Sequence, residues 1–258
     1  MKNTASKEVN DSLPRIGPLS GQIPDGDLYP LRKITVDYDV ADIRRRYLKL
    51  YTPVISDTLD HMGLGFHCLN KGIYPLTHTM KVAGPAHTYL AIATSSREDR
   101  VAKIAFKHIE SMIPGCVAIR ATQGDVCSGQ FGEITATAMA AAGCVGVVID
   151  GSTRDSCLLI DRGFPVFCRY RHPLESKGRL MTVDYQIPVY VQGAEGKLLI
   201  NPGDYIFGDN DGVVVVPKDL TVTVLEKAEA AAGQEEKTRD AVAAGESPLE
   251  VFRKFGRF

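Results

Sequence analysis

The sequence lacks an excess of charge of either sign: 30 Lys and Arg face 31 Asp and Glu, for a formal net charge of −1. A near-neutral chain sets up no long-range field, which argues against nucleic acid or an anionic membrane surface as a partner. No apolar run approaches the ~20 residues that a membrane-spanning helix needs. The N-terminal stretch also lacks the apolar core of a secretory leader. The six cysteines (Cys68, Cys116, Cys127, Cys144, Cys157 and Cys168) contain no C-x-x-C pair and sit mostly in apolar segments. They read as reduced, buried small hydrophobes. No His/Cys spacing suggests a zinc cage, and the six histidines are dispersed, with His87 and His172 kept as site candidates. These absences lead to the expectation of a soluble, cytoplasmic protein.

What is present is ordinary globular material: 258 residues, 44% of them apolar, enough for one sizeable core. Residues 1–34 are rich in Pro, Gly, Ser and Asp and read as an arm without apolar periodicity. Residues 35–258 read as one compact domain, with no internal repeat and no linker. A helix is expected near "DVADIRRRYLKLY", with Ile43, Tyr47 and Leu50 on one face, and a short one at "SDTLDHMG", capped by Ser56 and ended by Gly63. "MKVAGPAHTYLAIA" alternates as a strand does. "SSREDRVAKIAFKHIESM" follows as a helix with capping-box spacing between Ser95 and Glu98. Strands at "CVAIRAT", "VGVVID" and "PVFCRY" alternate with helices at "GEITATAMAAAG" and "SCLLIDRG". From 183 to 216, short β runs broken by Gly, Asn, Pro and Asp suggest antiparallel hairpins. A long terminal helix over 219–243 and a short tail complete the α/β pattern.

Two stretches carry chemistry. In "GVVIDGSTRDS", 146–156, an apolar strand stops at Asp150-Gly151 and delivers Arg154 and Asp155 together. In α/β folds ligands gather at the C-terminal ends of strands, although an exposed Arg–Asp pair in a turn is also common and worth only ~0–1 kcal/mol. Upstream, Gly124, Gly129 and Gly132 loosen a loop that runs into the Ala-rich helix. The first-turn N–H groups of that helix, from Gly132 through Glu133 and Ile134 to Thr135, lie at the positive end of its dipole, where a carboxylate or phosphate binds readily. Glu133 is equally what ordinary helix capping selects. The glycines match neither a P-loop nor a dinucleotide fingerprint.

An acidic residue, twenty intervening residues, Arg154-Asp155 and then "RGFPVFCR" make a pattern that resembles the RraA-like family, which includes 4-hydroxy-4-methyl-2-oxoglutarate/4-carboxy-4-hydroxy-2-oxoadipate aldolases. "VISDTLDHMG", "VAGPAHTY", "INPGDYIFGDNDGVVVVP" and "EEKTRDAVAAGESPLEVFRKFG" extend the likeness over residues 35–256. The resemblance implies a layered α/β/α domain around a barrel-like β core, related to phosphohistidine domains, and assembly as a homotrimer or homohexamer. It implies a lyase that uses Mg²⁺ or Mn²⁺, cleaves a 4-hydroxy-2-oxo acid to pyruvate and a second oxo acid, and decarboxylates oxaloacetate. By the same carry-over, Asp155 would ligate the metal. Arg154 would contact the 2-oxo oxygen and stabilise the enolate. The amides of Gly132, Glu133, Ile134 and Thr135 would hold the 1-carboxylate. Glu133 would reach the metal through water, as would Glu235 or Glu236 of a neighbouring subunit. Glu133 departs from the family, whose well-known aldolases have Asp there. Relatives without the Arg-Asp motif inhibit RNA processing by binding ribonuclease E, so a non-catalytic regulator of a nuclease is the alternative.

Overall fold

The computed structural model describes residues 31–95 and 102–256. The arm expected over 1–34 therefore lies outside the described residues up to Pro30, and so does the Glu98 half of the expected capping box. Residues 31–34 are already part of the fold. Ile34 is buried, and the Arg32 guanidinium lies 4.5 Å from the centre of the Tyr185 ring.

The elements run α1 (Val40–Tyr47), α2 (Thr52–His61), β1 (Tyr74–Pro75), β2 (Val82–Ala93), α3 (Ala102–Glu110), β3 (Val117–Ala121), α4 (Glu133–Ala141), β4 (Val147–Ile149), β5 (Ser152–Thr153) and α5 (Ser156–Arg162). They continue with β6 (Val166–Cys168), β7 (Tyr170–Arg171), β8 (Leu180–Tyr185), β9 (Val189–Gln192), β10 (Lys197–Ile200), β11 (Tyr205–Asp209), β12 (Gly212–Val216), α6 (Thr221–Ala243) and α7 (Pro248–Phe255). The sheet order is β1-β6-β4-β3-β2-β11-β12, with β8 also on β2. β2 is the branch point. Its first half pairs with β11 and its second half with β8, both antiparallel, while β3 runs parallel along its other edge. β3, β4 and β6 are parallel neighbours. One long strand serving three partners bends the sheet into a nearly closed, barrel-like core.

Side-chain alternation sorts the layers, because successive strand residues point to opposite faces. Val82, Ala86, Val117, Ile119, Val148, Phe167, Ile206, Val213 and Val215 fill the interior, closed by Val189, Val191 and Ile200 of the β9–β10 hairpin. Their neighbours Ala118, Val147, Ile149, Val166 and Cys168 face outward to α4 and α5. On the far side Tyr205, Phe207, Val214 and Val216 pack under α1, α2 and α6, where Tyr47 stacks on Tyr205 at 4.3 Å. This is the α/β/α layering with a long C-terminal helix that the sequence suggests. All six cysteines are free, with Cys116, Cys144 and Cys168 buried. Among the described residues, no helix is long and apolar enough to cross a membrane.

Two expectations change. α2 begins at Thr52, four residues before the expected cap at Ser56. The cap comes from across the fold: Thr52 donates its backbone N–H and its hydroxyl to the Asp209 carboxylate at 2.9 and 2.6 Å, and Pro53 sits in the first turn. The tail after α6 is itself helical, as α7, started by Pro248 and stopped by Gly256 at φ 70°.

β2 also buries a polar group under α3. His87 and His108 are almost fully inaccessible, and the His108 ring stacks on Tyr89 at 4.4 Å. Burial pushes His87 down to about 4. Burial, with the nearby His87 and Arg120, pushes His108 well below its usual value. Below pH ~6.5 the unfolded chain takes up protons that the folded chain refuses, so stability falls as pH falls from 7 towards 4. His87 should remove about 2 kcal/mol between pH 7 and 5, and His108 should add to the fall. Urea unfolding at the two pH values should show this, and His87→Gln should make the fall less steep.

Candidate active site

The site forms where β3 and β4 end side by side. After Ala121 the chain loops to the start of α4. After Ile149 it turns through Asp150-Gly151 into β5, Arg154 and Asp155. Asp150 is a tie rather than a reactive group. It is buried, lies 3.4 Å from Arg169 Nε and accepts the Gln192 N–H at 3.3 Å. Burial raises its pKa, while the Gln192 N–H and Arg169 oppose the rise.

Three backbone bonds fix the loop before α4, two of them to this strand end and one to the segment after β7. Gly129 donates to Leu174 O at 2.7 Å, Gln130 to Ser152 O at 3.0 Å, and Arg154 to Phe131 O at 2.8 Å. The packing explains the glycines. A Cβ on Gly129 would stand 2.2 Å from the His172 carbonyl oxygen, and one on Gly132 would stand 2.4 Å from Asp155 Oδ2. The Arg154 stem passes directly beneath both.

Asp155 takes a left-handed backbone conformation, φ 57°, which a short polar side chain tolerates. It occupies the N-cap position of α5 yet gives that helix no side-chain bond. Its Oδ2 instead accepts the Glu133 N–H of α4 at 3.1 Å and lies 3.7 Å from Arg154 Nε. One of the four amides expected to hold an anion is thus taken by Asp155. Among the described residues, the Ile134 and Thr135 N–H groups have no partner.

Gly132, Ile134, Thr135, Arg154 and Asp155 line one cleft of about 200 Å³. A second cleft, of about 340 Å³, is lined by Thr153, Arg154, Asp155, Ser156, Arg171, His172 and Pro173, so the Arg-Asp pair stands on the wall between the two. Glu133 does not line either cleft. Its carboxylate pairs with Arg162 of α5 and accepts the Thr137 hydroxyl at 2.8 Å. Those two contacts, the Thr137 bond first, lower its pKa. Of the two histidines kept as candidates, His172 reaches the second cleft, where its Nδ1 accepts the Leu174 N–H at 3.1 Å. His87 is locked in the core. Glu235 accepts the Tyr51 hydroxyl within its own protomer, and Glu236 is exposed on α6. Sequence reading missed Glu175, Ser176 and Lys177, which close the far side of the first cleft. No motif marks them; the Gly129–Glu175 bridge and the Gly129 N–H to Leu174 O bond bring that loop over.

Oxygen ligands fit a hard cation. Asp155 offers a half-exposed carboxylate. Among the described residues no three His, Cys, Asp or Glu side chains converge as a cage.

Asp155→Ala should cost about 1 kcal/mol, the usual worth of a helix N-cap. Gly129→Ala should cost more, about 1–3 kcal/mol, since the opposing atom is backbone and cannot swing away. Chemical denaturation of the two variants checks the order.

Residues 52–215 match the RraA-like family, described as Aldolase/RraA. Protein DlpA of Legionella pneumophila is 30% identical over 200 residues, 78% of this chain, which spans only 31% of that protein's length. A protein of Halalkalibacterium halodurans named "Putative 4-hydroxy-4-methyl-2-oxoglutarate aldolase" is 32% identical over 187 residues, 72% of this chain and 82% of its own. Among solved structures, Streptomyces coelicolor RraAS2, described as an unusual member of the RNase ES inhibitor RraA protein family, superposes with a TM-score of 0.68. It shares 26% identity and covers 78% of this chain and 98% of its own. With the family match spanning more than half of its length, and with the fold and the Arg154-Asp155 cleft in place, the chain belongs to the RraA-like family.

Proposed function

We propose that the chain is a divalent-metal-dependent lyase that cleaves a 4-hydroxy-2-oxo acid to pyruvate and a second oxo acid, and that it decarboxylates oxaloacetate. One observation carries this reading. The Arg154 guanidinium, the Asp155 carboxylate and the unpaired Ile134 and Thr135 amides all border the same cleft. The relative named as an aldolase of 4-hydroxy-4-methyl-2-oxoglutarate points to a diacid as substrate.

In this reading the first-turn amides of α4, Gly132 included, receive the 1-carboxylate, helped by the helix dipole. Arg154 then faces the 2-oxo oxygen. When the C3–C4 bond breaks, the 4-hydroxyl gives up its proton to water and becomes the carbonyl of the second oxo acid, while the bond's electron pair moves between C3 and C2 and negative charge grows on the 2-oxo oxygen until C3 takes a proton to give pyruvate. The fixed guanidinium stabilises this charge more in the transition state than in the ground state. Mg²⁺ or Mn²⁺ held by Asp155 would add positive charge at the same oxygen. Oxaloacetate presents the same problem, with CO₂ as the leaving fragment. Glu133, engaged with Arg162 and Thr137, stays ionised and adds negative charge near Asp155. It is given no direct contact with substrate, only a water-mediated one with the cation.

The site is proposed to be completed by a neighbouring subunit in a homotrimer or homohexamer, with Glu235 or Glu236 as its acid. Ile134, 81% exposed at the cleft, and Leu158 on α5 leave apolar surface there for a second copy to cover. The likeness to RraAS2 supports a second reading, a regulator that binds a nuclease.

Pyruvate release from oxaloacetate and from a panel of 4-hydroxy-2-oxo diacids separates the two readings. Turnover with Mg²⁺ should exceed the metal-only background and be lost with EDTA; background rates throughout would favour the regulator. Arg154→Ala should lower kcat by about 10²–10³, the usual cost of a lost oxyanion donor; unchanged turnover would make Arg154 structural. Light scattering should give three or six times the protomer mass.

A further inference from the structure

A second group of reactive side chains lies away from the cleft, where α2 meets the segment leading to β1. Ser56 projects from α2. His67 and Cys68 follow the helix and are held firmly by backbone bonds. Val215 donates to His67 O at 2.8 Å, Leu69 to Val213 O at 2.9 Å, and Ala194 to Cys68 O at 3.0 Å. None of the three residues lines either cleft beside Arg154.

Hydrogen-bond chemistry orders the group. His67 Nδ1 is 2.8 Å from Leu64 O. A carbonyl only accepts, so Nδ1 carries the proton, and Nε2 of the neutral ring must be an acceptor. Ser56 Oγ is 2.8 Å from that Nε2, so its hydroxyl donates there. The Ser56 oxygen, 3.7 Å from Cys68 Sγ, is then left to accept from the thiol. The result is a directed chain, thiol to hydroxyl to imidazole. A proton passed along it leaves a thiolate that accepts from Ser56 and an imidazolium whose Nδ1 faces both Leu64 O and Asp60 Oδ1, the latter at 4.0 Å. The charged groups nearby are few. Asp60 comes from α2, β12 has no titratable residue in Gly212–Val216, and Glu195 sits in the turn beside Ala194. These contacts shift both groups toward their charged forms, against burial, which opposes both. His67 above all, then Ser56, lowers the Cys68 pKa against the opposing effect of burial. Cys68, Leu64 O and Asp60 raise that of His67.

We propose that Cys68, activated through Ser56 and His67, is a nucleophilic thiol that hydroperoxides oxidise to a sulfenic acid. The thiol proton moves through Ser56 to His67 Nε2. The thiolate attacks one peroxide oxygen, forming the S–O bond as the O–O bond breaks. The departing hydroxide, or the alkoxide of an alkyl hydroperoxide, takes the proton from His67 and leaves as water or an alcohol. Sulfur is oxidised by two electrons and the peroxide reduced by two, with no other reactant. Thiolate, not thiol, is the reacting form, so the relay rather than exposure sets the rate. Cys127 is exposed and serves as an internal reference in the same chain.

The test uses the full chain. Iodoacetamide labelling across pH 5–9, quantified for each cysteine peptide by mass spectrometry, should give Cys68 a lower pH midpoint than Cys127. Ser56→Ala should shift that midpoint upward and slow labelling of Cys68 at pH 7 about tenfold, one pKa unit of thiolate fraction, without moving that of Cys127. His67→Gln should do the same, and the thermal midpoint of each variant shows whether it is folded. Hydrogen peroxide followed by dimedone should place the adduct on Cys68 first. A Cys68 midpoint equal to that of Cys127, or one that Ser56→Ala leaves in place, overturns the relay. A low midpoint without a dimedone adduct at Cys68 overturns the oxidation. Neither readout depends on lyase turnover.

Discussion

The bond from the Glu133 N–H to Asp155 Oδ2 holds the candidate site together. It joins the start of one helix to the residue before the next, and so joins the ends of β3 and β4. Its energy is that of one helix cap, about 1 kcal/mol, but its geometric consequences are larger. With Asp155 pinned to α4, the adjacent Arg154 has little choice of direction, and its stem must cross under Gly129 and Gly132. The unfilled amides of Ile134 and Thr135 then stand beside the guanidinium. A side chain at either glycine would force the elements apart. Reactive geometry and backbone packing are therefore the same constraint at this point.

A carboxylate distant in sequence capping a helix recurs in the molecule. Asp209, in the β11–β12 hairpin, holds the first turn of α2 as Asp155 holds that of α4. In both helices the residue at the N-cap position, Tyr51 or Gly132, makes no side-chain bond. Local rules of capping look within three or four residues and cannot see a partner 22 or 157 residues away. This accounts for the misplaced start of α2 and for the freedom of Ser56, which as an interior helix residue turns its hydroxyl to His67.

The barrel-like core arises from the length of β2. A strand of 12 residues outruns each of its neighbours, so β11 and β8 share one edge in succession. The resulting curvature encloses Phe167 and the β-branched residues around it, and Gly208 leaves space for that ring. It also brings the parallel ends of β3, β4 and β6 to one rim, where the site forms. The polar His87–His108 pair under α3 is outside this core and is tolerated because both rings are neutral when buried.

The sequence by itself determined the α/β order of the elements and the place of Arg154 and Asp155 just past a strand end. The short apolar runs within 117–121, 147–149 and 212–216 read as strands buried on both faces, and they are. The apolar run ending at Asp150-Gly151 delivers Arg154 and Asp155 to a rim. The Ala-rich helix that Gly143 ends is equally plain, since these signals act within a few residues. Tertiary structure alone decided which groups meet. It turned Glu133 outward to Arg162, drew Glu175, Ser176 and Lys177 over the cleft, and sent the Asp155 side chain to α4 rather than to its own helix. The physical reason is range: periodicity and propensity are properties of neighbours along the chain, whereas a hydrogen bond or an ion pair forms between whatever the completed packing brings within about 3 Å.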